Sequence, residues 1–161
     1  MKHPTLLCVD DDSGIREFYV TFLGCYGYKV IVAKSPHSAL ALFQSNKIDA
    51  VLSDYDMPGM TGTELAATIK RLDPTVPVIL MSGCELEIED PAHAVDAVMT
   101  KGASLAKVID RIDTLLAARQ FAASAPLSRF VPLGSALAGL AVAAFVIPKV
   151  WKRPSSPAIR P

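Results

Sequence analysis

Five short apolar runs, at residues 5–9, 28–33, 50–53, 76–81 and 94–100, constrain the fold of this chain more than any other feature. Each is too short for a globular helix, and helical patterns separate them, which is how buried parallel strands read in sequence. Four of the runs lead straight into polar residues: Asp10-Asp11, Asp54, Ser82 and Lys101. In a parallel sheet the residues at the carboxyl ends of the strands share one crevice, where ligands bind. Three acids, a hydroxyl and an ammonium therefore come together although about 90 residues separate the first from the last.

The intervening segments carry helical spacing. Ile15, Phe18, Tyr19, Phe22 and Leu23 mark a first helix, with Ser13 expected as its N-cap and Gly24 and Gly27 at its end. Ser35-Pro36 opens a second, with Ala39, Leu40 and Phe43 on its inner face. After a loop punctuated by Pro58-Gly59 and Gly62, residues 64–72 form a third. Residues 83–91 are acidic and contain Pro91, so only a short or irregular helix is expected there. Leu105, Val108, Ile109, Ile112, Leu115 and Leu116 line one face of a last helix. Five strands with five helical segments predict an α/β fold built on a doubly wound parallel sheet.

The formal net charge is zero, but its distribution is uneven. Residues 1–113 hold all 16 acids and ten of the 16 lysines and arginines, a net −6, whereas residues 114–161 hold six bases and no acid, a net +6. An acidic body argues against nucleic acid as a partner, and the basic, apolar end implies a part with different surroundings. Cys8, Cys25 and Cys84 have no metal-type spacing and read as reduced thiols of a cytoplasmic domain. The first apolar run is too short for a signal peptide, so export is not expected.

Mg2+ suits the acidic crevice, because it takes octahedral oxygen ligation from one or two carboxylates, waters and phosphate oxygens. Asp10, Asp11 and Asp54 repel one another unless a cation neutralises them. A carboxylate can also attack phosphorus and form an acyl phosphate. Asp54, between the metal-type acids and the donors Ser82 and Lys101, is the candidate nucleophile. Taken singly, each residue has an ordinary explanation: a helix cap or first-turn acid for Asp10-Asp11, turn chemistry for Asp54, a surface charge for Lys101. Their order, each at a strand end, carries the reading.

Residues 6–16 (Leu-Leu-Cys-Val-Asp-Asp-Asp-Ser-Gly-Ile-Arg), 54–62 (Asp-Tyr-Asp-Met-Pro-Gly-Met-Thr-Gly), 76–83 (Val-Pro-Val-Ile-Leu-Met-Ser-Gly) and 100–102 (Thr-Lys-Gly) resemble the receiver domain of two-component response regulators, over residues 4–118 or so. The resemblance implies a flavodoxin-like sheet of order 2-1-3-4-5. It implies a phosphoryl group accepted on Asp54 from a sensor histidine kinase or phosphotransfer protein. It also implies Mg2+ held by the side chains of Asp11 and Asp54, by Asp10 through water and by the backbone carbonyl of Asp56, with Ser82 and Lys101 contacting the phosphoryl group. Such a module is a switch rather than an enzyme, and it signals to a downstream protein target. Three positions depart from the family pattern: Gly102 where proline is usual, Ser82 where threonine is commoner, and Val98 where an aromatic usually turns inward on activation. By this comparison the phosphorylation chemistry is intact and the output face is altered.

The expected domain organisation is a receiver at 1–119, a linker at 120–129, an apolar helix at 130–148 and a basic, proline-rich tail at 149–161. Residues 130–147 carry no charge and span about 27 Å as a helix, just under a bilayer core of about 30 Å. Ser135, Gly139 and Ala143 form a small-residue stripe, and Trp151 with Lys149, Lys152 and Arg153 resembles an interfacial anchor. The segment thus reads as transmembrane or membrane-associated, anchoring a cytoplasmic receiver, or else as an Ala-rich helix packed on a partner. Four bases follow it and only Arg119 and Arg129 closely precede it, against the positive-inside tendency for a simple crossing, a conflict that a hairpin or in-plane placement removes.

Nothing after residue 118 resembles a helix-turn-helix. Two other functions compete with the phosphorylated switch. One is a degenerate receiver acting as a constitutive interaction module. The other is a phosphatase of the haloacid dehalogenase type, whose nucleophile and acid pair Asp54-Tyr-Asp56 imitates.

Overall fold

The structure is a computed structural model that describes residues 3–83 and 93–124. Five parallel strands, β1 (Thr5–Val9), β2 (Lys29–Ala33), β3 (Ala50–Asp54), β4 (Val78–Ser82) and β5 (Ala97–Thr100), form one sheet in the order β2-β1-β3-β4-β5. This is the flavodoxin-like order expected from the sequence. Among the described residues the helices are α1 (Ser13–Cys25), α2 (Pro36–Ser45), α3 (Gly62–Leu72) and α4 (Leu105–Ser124).

The period-two alternation of the strands divides the core. Leu7 and Val9 of β1, Val51 of β3, and Val78 and Leu80 of β4 face Ala39 of α2 and Leu65, Ala66 and Ile69 of α3. Leu6 and Cys8, Ala50 and Leu52, and Ile79 and Met81 face Tyr19 and Leu23 of α1 and Val108, Ile109, Ile112 and Leu116 of α4. Both faces being covered, β3 and β4 are buried along their whole length, which explains their unbroken apolar character. Burying each of these Val, Leu or Ile side chains is worth about 1.5–3 kcal/mol. The polar Asp54 and Ser82 at the ends of the same strands forgo that gain.

Several limits differ from the sequence expectation, each for a local reason. Asp12, not Ser13, caps α1: its carboxylate accepts from the N–H groups of Gly14 at 2.7 Å and Ile15 at 3.1 Å, and Ser13 is already helical. A capping box between Thr61 and Glu64 starts α3 at Gly62 rather than at residue 64. β4 begins at Val78 because Pro77 has no N–H to pair, although its carbonyl accepts from Val51. β5 is an edge strand paired only with β4, from Ile79↔Ala97 onwards, so it starts at Ala97 and not at residue 94.

The largest correction concerns the expected linker at 120–129. Its first five residues, Gln120 to Ser124, continue α4, since no glycine or proline interrupts Gln-Phe-Ala-Ala-Ser. The irregular helix expected at 83–91 lies outside the described residues except for Gly83. The apolar segment at 130–148 and the tail at 149–161 also lie outside them. Among the described residues no helix is long and apolar enough to cross a membrane.

Candidate functional site

The register of the sheet assembles the site. Val9 pairs with Ser53, Asp54 with Met81, and Ser82 with Thr100, so Asp10 and Asp54 stand level at one edge, with Ser82 one residue and Lys101 two residues further along the strand direction. Asp54 and Ser82 are the last residues of β3 and β4, while Asp10 and Lys101 each lie one residue beyond β1 and β5. Asp10, Asp54 and Ser82 are 1%, 6% and 2% exposed, whereas Asp11 faces solvent. Asp10, Asp11 and Asp54 each place a carboxylate oxygen within 4.8 Å of the other two.

Each buried acid is held by local backbone. Asp10 Oδ1 accepts from the Asp12 N–H at 2.9 Å, and Asp54 Oδ1 accepts from the Tyr55 N–H at 2.8 Å. Lys101 Nζ donates to Asp54 Oδ2 at 2.7 Å and stands 3.1 Å from Asp10 Oδ2. That second contact is an ion pair without hydrogen-bond direction, so Asp10 Oδ2 is shielded from solvent yet accepts no hydrogen bond. Partial burial pulls the Lys101 ammonium downward, but its hydrogen bond to Asp54 and the negative charges of Asp10 and Asp54 outweigh it and hold its pKa above the ordinary lysine value. Three carboxylates face one ammonium, which leaves an excess of negative charge.

This donor set fits a small hard cation. Oxygens around an octahedral Mg2+ lie about 3 Å apart when adjacent and about 4 Å when opposite, from metal–oxygen distances of about 2.1 Å. Carboxylate oxygens within 4.8 Å of one another approach that spacing, and Asp10 Oδ2, ion-paired with Lys101 but accepting no hydrogen bond, has acceptor capacity left for a cation, direct or through water. Asp56 is different. Its side chain is exposed and stands outside the three-carboxylate cluster, so only its main chain is a candidate contributor.

Two features were not assigned a role from sequence. Arg16, on the first turns of α1, donates through Nη1 to the backbone carbonyls of Asp10 at 2.7 Å and Asp11 at 2.9 Å. The only sequence signal is its helical phase, which turns it back toward the acidic loop. Beneath the acids, burial pushes the Cys8 thiol far up, and burial, reinforced by the negative charges of Asp10 and Asp54, does the same to the Tyr19 phenol. Both groups stay protonated, so neither competes with Asp54 as a nucleophile.

Comparison with known proteins identifies relatives of this chain. The phosphate regulon transcriptional regulatory protein PhoB of Pseudomonas aeruginosa is 32% identical over 121 residues, covering 72% of this chain and 53% of PhoB. The autoinducer 1 sensor kinase/phosphatase LuxN of Vibrio harveyi is 34% identical over 82 residues, 51% of this chain and 10% of LuxN. The chain thus spans about half the length of PhoB and a smaller part of LuxN. Among solved structures, the response regulator TrrA of Thermotoga maritima in complex with Mg2+-BeF superposes with a TM-score of 0.66 at 28% identity, over 70% of this chain and 98% of TrrA. A complex of TrrA with the histidine kinase ThkA gives a TM-score of 0.65 at 29% identity, again over 70% and 98%. A model of the response regulator receiver domain matches residues 6–118, and with so much of its length accounted for the chain belongs to that family.

Proposed function

We propose that this receiver accepts a phosphoryl group on Asp54, with Mg2+ bound by the acidic cluster, from a sensor histidine kinase or phosphotransfer protein. The carrying observation is the position of Asp54: a buried carboxylate within reach of two further carboxylates and hydrogen-bonded to a lysine. That TrrA has been captured with Mg2+-BeF, and with a histidine kinase, supports the same chemistry here.

In this reading Asp11 and Asp54 ligate the cation directly, Asp10 acts through water and Asp56 offers its carbonyl. When bound, the cation withdraws negative charge from the phosphoryl oxygens and permits a carboxylate to approach them. An oxygen of Asp54 attacks phosphorus as the P–N bond of the donor phosphoimidazole breaks, and the departing nitrogen keeps the electron pair. The Tyr55 N–H holds the other carboxylate oxygen in place. Lys101 exchanges its bond to Asp54 for one to a phosphoryl oxygen, and Ser82, one residue past the β4 partner of Asp54, donates to another.

The phosphatase reading loses support, because it requires the side chains of both Asp54 and Asp56 in one site. The output is a change of protein partner. Val98, on edge strand β5, is 49% exposed and too short to act as a rotating aromatic, so the signal is carried by other residues of that face. For residues 130–148 we retain membrane association, on the strength of their uncharged composition.

Incubation of the full chain with acetyl phosphate and Mg2+ tests the proposal by intact mass. A single added phosphoryl group, labile to hydroxylamine, absent without Mg2+ and absent from Asp54→Ala, is expected. An unlabelled wild-type protein, or a label that survives Asp54→Ala, would falsify it.

A further inference from the structure

The three carboxylates of the cluster are not held alike. Asp10 receives the Asp12 N–H, and Asp54 receives the Tyr55 N–H and the Lys101 ammonium. Asp11 is exposed, and among the described residues its carboxylate has no hydrogen bond or ion pair that fixes it. Its direction must therefore come from its backbone.

We propose that Arg16 is a positioning residue for the cation site and aims the Asp11 carboxylate by clamping the main chain on both sides of its Cα. The inference rests on the Mg2+ reading given above. The Asp10 carbonyl belongs to the planar peptide between residues 10 and 11, and the Asp11 carbonyl to the peptide between 11 and 12. Arg16 Nη1 donates to both oxygens, at 2.7 and 2.9 Å. Fixing the two planes fixes φ and ψ of the residue they share, and with them the exit vector of its side chain. The clamp has a firm base, because the Arg16 N–H bonds to the Asp12 carbonyl in the first turn of α1, and Asp12 caps that helix. One nitrogen thereby holds both peptides that flank the ligand.

A guanidinium bound to the main chain of this acidic loop also acts through its permanent charge, and that action has the opposite sign. By Coulomb repulsion alone, removing Arg16 strengthens cation binding. By loss of the clamp, removing it weakens binding, and disturbing the groups that orient a metal ligand costs on the order of 10-fold in affinity. The sign of the change separates the two.

Mg2+ titration of the full chain, followed by isothermal calorimetry and by amide shifts of residues 10–12, decides the matter. Arg16→Ala is expected to bind Mg2+ about 10-fold more weakly than wild type. Arg16→Lys keeps the charge, and with it the repulsion, but its shorter arm falls short of the Nη1 position, so it is expected to bind at least as weakly as Arg16→Ala. Melting in cation-free buffer checks that both variants are folded; if Arg16→Ala is not, Arg16→Lys alone carries the test. Affinity equal to or above wild type in a folded variant overturns the inference. A wild-type protein that shows no Mg2+ binding, or binding indifferent to Asp11→Ala and Asp54→Ala, overturns the metal reading itself, so the two failures are distinct.

Discussion

At the residue scale, Lys101 occupies the place of a counter-ion. It neutralises part of the charge on Asp54 and Asp10, the buried acids among the described residues. Replacing it with methionine leaves those carboxylates uncompensated, which we expect to cost about 1–3 kcal/mol in cation-free buffer, less than a fully buried pair because the lysine is partly solvated. The same change removes a competitor for the carboxylates, so Mg2+ affinity rises and Mg2+ restores more stability to Lys101→Met than to wild type. Urea unfolding with and without Mg2+ reads both effects. The raised pKa of Lys101 adds a pH signature: its contribution is complete below the ordinary lysine value of 10.5 and disappears as pH climbs through the higher folded value. The stability gap between wild type and Lys101→Met should therefore hold constant from neutrality to about pH 10. Gly62 presents the reverse case, where space rather than charge decides. A Cβ there would overlap the Asp54 carbonyl oxygen and lie 2.8 Å from Leu80 Cδ2, while the Gly62 N–H already bonds the Tyr55 carbonyl at 2.8 Å. Gly62→Ala is expected to destabilise by about 1–3 kcal/mol and to slow labelling of Asp54, whose backbone it displaces; unchanged melting and labelling would show that the loop yields freely. The acids, the hydroxyl and the lysine were legible in sequence because each follows an apolar run. Gly62 and Arg16 were not given these roles, because a steric contact and a carbonyl clamp arise only from the returning path of a loop.

At the element scale, strand existence and order were legible, and element ends much less so. Hydrophobic periodicity reports what is buried, whereas ends depend on which side chain reaches which N–H. Asp12 and Ser13 are both good caps by type, and only the path of the loop selects Asp12. The C-terminal helix is the clearest example. Its apolar stripe stops at Leu116, yet α4 runs two further turns, and Arg119, which in sequence looks like a charge preceding the apolar segment, is what fastens it. Arg119 Nη1 donates to the carbonyls of Asp49 at 2.8 Å and Ile48 at 3.1 Å, and Nη2 pairs with Asp73 at 3.3 Å. These contacts tie the end of α4 to the entrance of β3, at the edge of the sheet opposite Asp54. Asp73 is also held by the Thr75 hydroxyl at 2.6 Å, which, with Arg119 and Lys70 nearby, keeps its carboxyl below the usual aspartate range despite some opposing burial. Hydrogen bonds to a charged group contribute about 1.5–3 kcal/mol, so Arg119→Ala should shift the urea midpoint by an amount worth about 2 kcal/mol. Its distance from the acidic cluster means that phosphorylation of Asp54 should proceed at the wild-type rate. A midpoint that does not move would reduce the clamp to a surface contact, and slowed labelling would show that the two ends of the sheet are coupled.

At the scale of the whole molecule, the separable parts are set by where the core is made. Every buried residue on either face of the sheet lies between Leu6 and Leu116 among the described residues, and the Arg119 clamp closes that unit from within α4. The family match ends at residue 118, close to the same boundary. Charge divides the chain at nearly the same place, acidic up to residue 113 and basic beyond it; under the proposed function the first part takes the cation and the kinase, and the basic charge of the second favours an anionic surface. A chain ending at Ser124 keeps every apolar contact and every ion pair described above. It should melt within a degree or two of the full chain and label on Asp54 equally well, since every contact described above lies within it. The full chain, with 18 uncharged residues followed by Lys149, Lys152 and Arg153, should float with vesicles containing phosphatidylglycerol, while the shortened chain stays in the dense fraction. High salt separates the two attractions: flotation that persists identifies apolar insertion, and flotation that is lost identifies the basic tail acting alone. If the full chain remains in the dense fraction at low salt as well, residues 130–148 are not a membrane segment, and their apolar face is to be sought against a protein.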